Sequence, residues 1–169
     1  LWKDHTAIQE ADEITTLARK MRPQYLTKCG GTYSCEWFFS KVLHCMRTAP
    51  KVFNAAYIWV EMADWIPAFL TGTQNPEDLS VGACAAGHKA MYNDSWGGYP
   101  DEQFFLRLDR KLGDFHSRLK TSVKTIGESV GGLTDEWARK TGLTEGIPVS
   151  SGAIDAHLGA VGSGIEPGM

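Results

Sequence analysis

The sequence predicts a mixed α/β fold, and three observations carry that expectation. Residues 8–21 place Ile8, Ala11, Ile14, Leu17, Ala18 and Met21 on one helical face. Residues 122–127 and 148–154 are short runs of β-favouring residues bounded by turn formers. The second run leads through Asp155 into the small-residue segment 156–161, which reads as a helix. A carboxylate between a strand end and a helix N-terminus stands where α/β sheets hold their ligands.

The elements follow in order. Thr6 is expected to cap the first helix and Pro23 to end it. Residues 36–46 read as a second helix, stopped before Pro50. Residues 55–60 contain Tyr57, Ile58, Trp59 and Val60 and predict a short strand. Residues 62–70 predict a helix closed by Gly72 in a left-handed cap, with Pro67 as its weak point. Residues 75–78 form a turn, and the Gly- and Ala-rich stretch 80–92 reads as extended and closely packed. Residues 97–100 are a loop, and residues 102–108 a helix. Gly131-Gly132 is expected to be a turn, followed by a helix that Thr134 caps and Gly142 ends.

Composition narrows the function classes. With 43% hydrophobic and 22% charged residues over 169 positions, the chain fits a globular domain and not a disordered one. A net charge of −3 argues against nucleic acid or an anionic membrane as its main partner. The most apolar stretch, 55–70, is broken by Glu61, Asp64 and Pro67, which argues against a membrane span. Cys29, Cys35, Cys45 and Cys84 show neither a C-x-x-C pair nor zinc-ligand spacing, and read as reduced cytoplasmic thiols. The opening Leu1-Trp2-Lys3 lacks an initiator methionine, so the chain is expected to be a slice of a longer protein.

Local pattern leaves each candidate residue with two readings. Asp155 could take a proton from a substrate hydroxyl or hold magnesium through water, but an N-cap role carries more weight on pattern alone. Lys89, among the small residues of Cys84-Ala85-Ala86-Gly87-His88-Lys89, could meet a polar ligand or simply be solvated. His88 and His157 could be acid–base groups or metal ligands, or hydrogen-bonded structural residues. Glu61 with Asp64 could be a catalytic pair or a solvated helix face. Six tryptophans could stack on a sugar ring, though most such residues fill cores. No P-loop, dinucleotide fingerprint, nucleophile elbow or protein-kinase His-Arg-Asp motif is present.

Five separated segments, in order, resemble the FGGY carbohydrate kinases. Gly131-Gly132-Leu133-Thr134-Asp135-Glu136, then Ala138, Thr141-Gly142-Leu143, Gly146-Ile147-Pro148-Val149 and Gly152-Ala153-Ile154-Asp155, is similar to that family's signature. Leu1-Trp2-Lys3-Asp4-His5-Thr6-Ala7, Gly30-Gly31-Thr32-Tyr33-Ser34-Cys35-Glu36-Trp37, Glu61-Met62-Ala63-Asp64-Trp65, Cys84-Ala85-Ala86-Gly87-His88-Lys89-Ala90 and Asp155-Ala156-His157 resemble its L-ribulose-phosphorylating branch.

The resemblance implies a ribonuclease-H-like, actin-type fold and transfer of the ATP γ-phosphate to the terminal hydroxyl of L-ribulose in L-arabinose breakdown. A kinase for another pentose or pentitol, and a non-catalytic sugar-binding piece, are its rivals. Asp155 matches the family's catalytic aspartate, Lys89 a substrate-contacting lysine, and Trp2 a residue of the sugar pocket. Asp4 and His5 are not carried over, because relatives carry Arg where this chain has His5. Residues 1–155 are expected to form the rear of the sugar-binding domain, and 156–169 to begin the connection to a nucleotide-binding domain. ATP and Mg²⁺ would be held mainly by regions outside this chain, which alone is expected to be inactive. Sheet edges left bare by such a slice predict self-association into a homo-oligomer.

Overall fold

The computed structural model describes residues 3–166 and 168. It divides into two units, Leu1–Trp59 with Gly87–Leu119, and Val60–Ala86 with Lys120–Met169.

The first unit is helical. Helix α1 (Ile8–Met21) buries Ala11, Ile14 and Ala18, and Pro23 opens a 3-10 segment beyond it. Ile8 stays exposed, so the buried stripe is narrower than the predicted one. Thr6 does not cap this helix; its N–H and hydroxyl both donate to the Asp4 carboxylate, and Ala7 holds the cap position without a side-chain bond. Helix α2 (Phe38–Thr48) starts later than predicted, and Pro50 begins a further helix, α3 (Pro50–Ala55), which its fixed φ favours. Helix α6 (Glu102–Leu108) matches its prediction, with the Asp101 carboxylate accepting the Phe104 N–H at 2.8 Å.

The six phenylalanines buried among the described residues all lie in this unit. Phe39, Phe105 and Phe115 meet edge to face at 5.2–6.3 Å. Each such ring contributes about 1.5–3 kcal/mol relative to exposure, so this unit holds the stronger core. Glu10, almost fully buried, faces His44 at 3.3 Å and Arg47 at 3.5 Å between α1 and α2. Residues 55–60 form no strand: Trp59 N–H donates to the Arg118 carbonyl at 3.4 Å, and no ladder is built. Their β propensity found no neighbouring strand to pair with.

The second unit is mixed. Helix α4 (Met62–Thr71) is closed by Gly72 at φ 74°, as predicted, with Pro67 tolerated inside. The stretch read as extended over 80–92 is strand only at β1 (Val81–Gly82) and then turns into helix α5 (Ala83–Lys89). An alanine-rich run has high helix propensity, which overrides the small-residue reading. The first four residues of α5 fall in the second unit and the last three in the first.

Strand β1 pairs in parallel with β2 (Val123–Lys124), a much shorter strand than predicted. Strand β3 (Ser129–Gly132) pairs antiparallel with β4 (Pro148–Ser150). Gly131-Gly132 is therefore strand and not turn. The glycines serve close approach: a Cβ on Gly131 would lie 2.9 Å from Thr71 Cβ, and one on Gly132 3.0 Å from Gly146 Cα. Helix α7 (Asp135–Thr141) has the predicted Thr134 cap and Gly142 stop, the latter at φ 73°. Strand β4 ends at Ser150, four residues short of the run predicted over 148–154, and helix α8 (Asp155–Gly162) begins after the irregular residues 151–154. The core of this unit is small, built on Ala68, Leu79, Val81, Ala85, Ala86, Leu133 and Ala138, while Met62, Trp65, Ile66 and Phe69 stay 42–63% exposed.

Candidate functional site at the strand-to-helix junction

The chain leaving β4 is fastened at successive residues. Ser151 is buried, and its hydroxyl donates to the Thr125 carbonyl at 3.0 Å. Gly152 then passes so close to α4 that a Cβ would fall 1.9 Å from the Ala63 carbonyl oxygen. Pro67 has no N–H to offer the carbonyl four residues back, so Ala63 lacks its helical partner where Gly152 passes. Ile154 N–H donates to Cys84 Sγ at 3.4 Å, and His157 Nδ1 lies 2.9 Å from the same sulphur. Asp155 stands between these two fastenings, exposed, as the first residue of α8.

Ile154 holds the N-cap position, so Asp155 is not the cap. Its Oδ1 accepts the Ala156 N–H at 2.8 Å. A carboxylate in the first helical turn is favoured by the helix dipole and keeps oxygen lone pairs for a hydroxyl proton. An exposed carboxylate so placed can accept a proton, and a first-turn acid also stabilises a helix without any substrate.

Asp64 is not part of a solvated carboxylate face. It is 5% exposed, and its Oδ1 accepts the Gly82 N–H at 2.7 Å. Gly82 in turn has no room for a side chain, with Gly152 O 2.4 Å from its would-be Cβ. The buried carboxylate thus locks β1 against α4 and sets the start of α5.

Lys89 belongs to the first unit and ends α5, half-buried. Its carbonyl accepts the hydroxyl of Tyr33, a fully buried ring whose oxygen also accepts the Phe39 N–H at 3.0 Å. Tyr33 N–H donates to Thr15 Oγ1 at 3.0 Å, so the support for Lys89 runs back to α1. His88 stands edge-on to Trp37 at 4.7 Å. Shortly after Lys89, Met91 adopts φ 53°, in the left-handed region that non-glycine residues rarely enter, and its carbonyl accepts Trp96 Nε1–H at 3.1 Å. Trp2 lies outside the described residues.

Asp4 is engaged locally. The hydrogen bond from the Thr6 hydroxyl, then that from Lys41, holds its carboxyl well below the usual range. Burial raises the Cys29 and Cys45 thiols. All four cysteines are free thiols. A groove of about 470 Å³ between α1 and α6, lined by Asp12, Glu13, Lys20 and Arg107 among others, contains none of the predicted site residues. No three His, Cys, Asp or Glu side chains converge as a metal site among the described residues. No helix among them is long and apolar enough to cross a membrane.

The sequence singles out Asp155 and Lys89 as candidates, but not the residues that hold them. Tyr33 sat in a quoted motif without a role, and Cys84 and His157 are 73 positions apart, beyond any local signal.

Comparison with known proteins places the chain in a family. The model of the "FGGY family of carbohydrate kinases, N-terminal domain" matches residues 1–162. The chain is 44% identical over 165 residues to a ribulokinase of Vibrio parahaemolyticus, covering 97% of this chain and 29% of that protein. It is 38% identical over 166 residues to a ribulokinase of Shouchella clausii, covering 98% of this chain and 28% of that protein. The chain thus spans under a third of these relatives' length. Among solved structures, a xylulose kinase from Brucella ovis matches with a TM-score of 0.70 at 19% identity, covering 99% of this chain and 32% of that one. A xylulose kinase from Lactobacillus acidophilus matches with a TM-score of 0.65 at 19% identity, covering 92% of this chain and 30% of that one. At such identities the structural likeness shows the fold alone, and it is the α/β fold that the sequence predicted. With the family match running through the four strands and eight α-helices of the described residues, the chain belongs to the FGGY family of carbohydrate kinases, within its N-terminal domain.

Proposed function

We propose that the protein carrying this chain is an L-ribulokinase, transferring the γ-phosphate of ATP to the terminal hydroxyl of L-ribulose in L-arabinose catabolism. The observation that supports this most is the 44% identity to a ribulokinase over nearly the whole chain. The fastened, exposed carboxylate of Asp155 is the group in this chain suited to the chemistry. In this reading Asp155 accepts the proton of the attacking sugar hydroxyl as that oxygen moves in line on the phosphorus. Lys89 donates from its ammonium to sugar oxygens and fixes the ketose, and Trp2 lines the sugar pocket.

Phosphoryl transfer depends mainly on positioning and charge stabilisation, so one base on a rigid support is an adequate contribution from this segment. Mg²⁺ supplies charge neutralisation on the phosphates when bound. The described residues bring together no ligand set of their own for it, so no step is assigned to this chain through the metal. Residues 1–155 form the rear of the sugar-binding domain in this reading, and 156–169 begin the connection to the nucleotide-binding domain. A cytoplasmic location accords with the four free thiols, and a homo-oligomer with the exposed Trp65, Ile66 and Phe69.

The test is an ADP-release assay on the full-length product of the source gene, with L-ribulose, D-xylulose and ribitol as acceptors. L-Ribulose is expected to give a kcat/KM at least about 10-fold above the others, a selectivity that hydrogen bonding to sugar hydroxyls can supply. Preference for D-xylulose or ribitol, or turnover of none, would overturn the assignment.

A further inference from the structure

We propose that Cys84 is a positioning residue for Asp155, its sulphur pinning the first turn of α8 on both sides of that carboxylate. The proposal rests on the reading of Asp155 as the general base.

Within this chain, apolar packing does little to hold helix α8. None of its residues is buried, and Leu158 and Val161 are 46% and 72% exposed. Within residues 3–166, apolar packing therefore fixes neither its direction nor its rotation. The backbone N–H groups at its start need acceptors, and no side chain of the N-cap residue supplies one. The sulphur of Cys84 supplies that acceptor for Ile154 at 3.4 Å, and meets His157 Nδ1 at 2.9 Å. Residues 154 and 157 are about one turn apart, so two anchors on one atom fix both the position and the rotation of the turn that carries Asp155. A thiol can fill both roles at once: its lone pair accepts the Ile154 N–H while its proton is offered to the imidazole.

The anchor is itself fixed. Cys84 lies in the first turn of α5, two residues after Gly82. The Gly82 N–H is held by the buried Asp64 carboxylate at 2.7 Å, and a Cβ at Gly82 would lie 2.4 Å from the Gly152 carbonyl oxygen. A path of rigid contacts thus runs from α4 through Asp64, Gly82 and Cys84 to the turn bearing Asp155. Cys84 touches no reacting atom in this scheme; it acts through the helix it holds.

Cys84→Ala removes both anchors, whereas Cys84→Ser keeps a donor and an acceptor on a shorter bond. In the full-length enzyme, Cys84→Ala is expected to lower kcat for sugar phosphorylation about 10- to 100-fold with KM for the sugar within about twofold. Cys84→Ser is expected to return kcat to within about threefold of wild type, which separates positioning from loss of fold. In the full-length enzyme, hydrogen exchange at residues 154–162 is expected to quicken about fivefold in Cys84→Ala, while exchange in α7 is unchanged. Unchanged exchange at 154–162, or faster exchange with unchanged kcat, overturns the proposal. Failure of the wild-type enzyme to phosphorylate any sugar overturns the kinase reading instead and is seen before any variant is made.

Discussion

Replacing Gly152 with alanine strikes the tightest backbone contact of the second unit. The added methyl would fall 1.9 Å from the Ala63 carbonyl oxygen and 2.6 Å from its carbon. Ordinary van der Waals contact needs about 1.5 Å more than the shorter of these. The obstacle is helix backbone, so no rotamer change relieves it, and α4 is further tied to β1 through Asp64 and Gly82. Overpacking in a core costs about 1–3 kcal/mol even where side chains yield; here the upper end, about 3 kcal/mol, is expected. For a chain of this size that corresponds to a fall in Tm of about 6–12 °C. Urea unfolding followed by circular dichroism on the 169-residue chain measures it. Gly159→Ala, in α8 with nothing within 4 Å of the new methyl, is the control and should be neutral or stabilising by up to about 1 kcal/mol. A Gly152→Ala chain within about 0.5 kcal/mol of wild type would refute the contact and with it the fixed path to Asp155.

Three further outcomes follow from the same geometry. Thr134→Ala should cost about 1 kcal/mol in the same unfolding assay, because the hydroxyl that accepts the Trp137 N–H is lost while Gly142 still closes α7. Burial would raise the Asp101 carboxyl, but the Phe104 N–H and then Arg22 outweigh it and hold it below its usual value. The stability this supplies is present above the unfolded carboxylate value near ~3.9 and is lost as pH falls through the lower folded value. Asp101→Asn should therefore flatten the acid limb of a stability-against-pH curve below about pH 4, whereas an unchanged limb would exclude Asp101 as its source. Lys89→Ala in the full-length enzyme should raise KM for L-ribulose about 10-fold or more with a smaller effect on kcat, and an unchanged KM would remove Lys89 from the pocket.

The elements that were legible in the sequence carry their own punctuation. Thr134 and Gly142 bracket α7, Gly72 closes α4, Pro23 ends α1, and Asp101 opens α6. Those signals act through bonds within a few residues and need no knowledge of the rest of the chain. Residues 55–60 and 80–92 were misread because their state depends on distant partners: the former has no strand beside it, and the latter has one only at Val81 and Gly82. Gly131 and Gly132 show the same limit, since a glycine required for close packing looks like a glycine required for a turn.

At the candidate site, the strand-to-helix context of Asp155 was visible because it is local. Its supports, Cys84, Asp64 and Gly82, lie far along the chain and became visible only in three dimensions. Asp64 illustrates why. From sequence it paired with Glu61 as a helix-face acid, whereas the fold buries it to hold a backbone N–H of another element.

In the proposed function, the carboxylate of Asp155 is the base that takes the sugar hydroxyl proton. The most direct measurement is steady-state phosphorylation of L-ribulose by the full-length enzyme carrying Asp155→Asn, a substitution that keeps size and hydrogen bonding while removing the base. The expected result is a fall in kcat of about 10²- to 10⁴-fold with L-ribulose binding, measured by calorimetry, within about threefold of wild type. A kcat within about threefold of wild type would reduce Asp155 to a helix-stabilising acid and contradict the account.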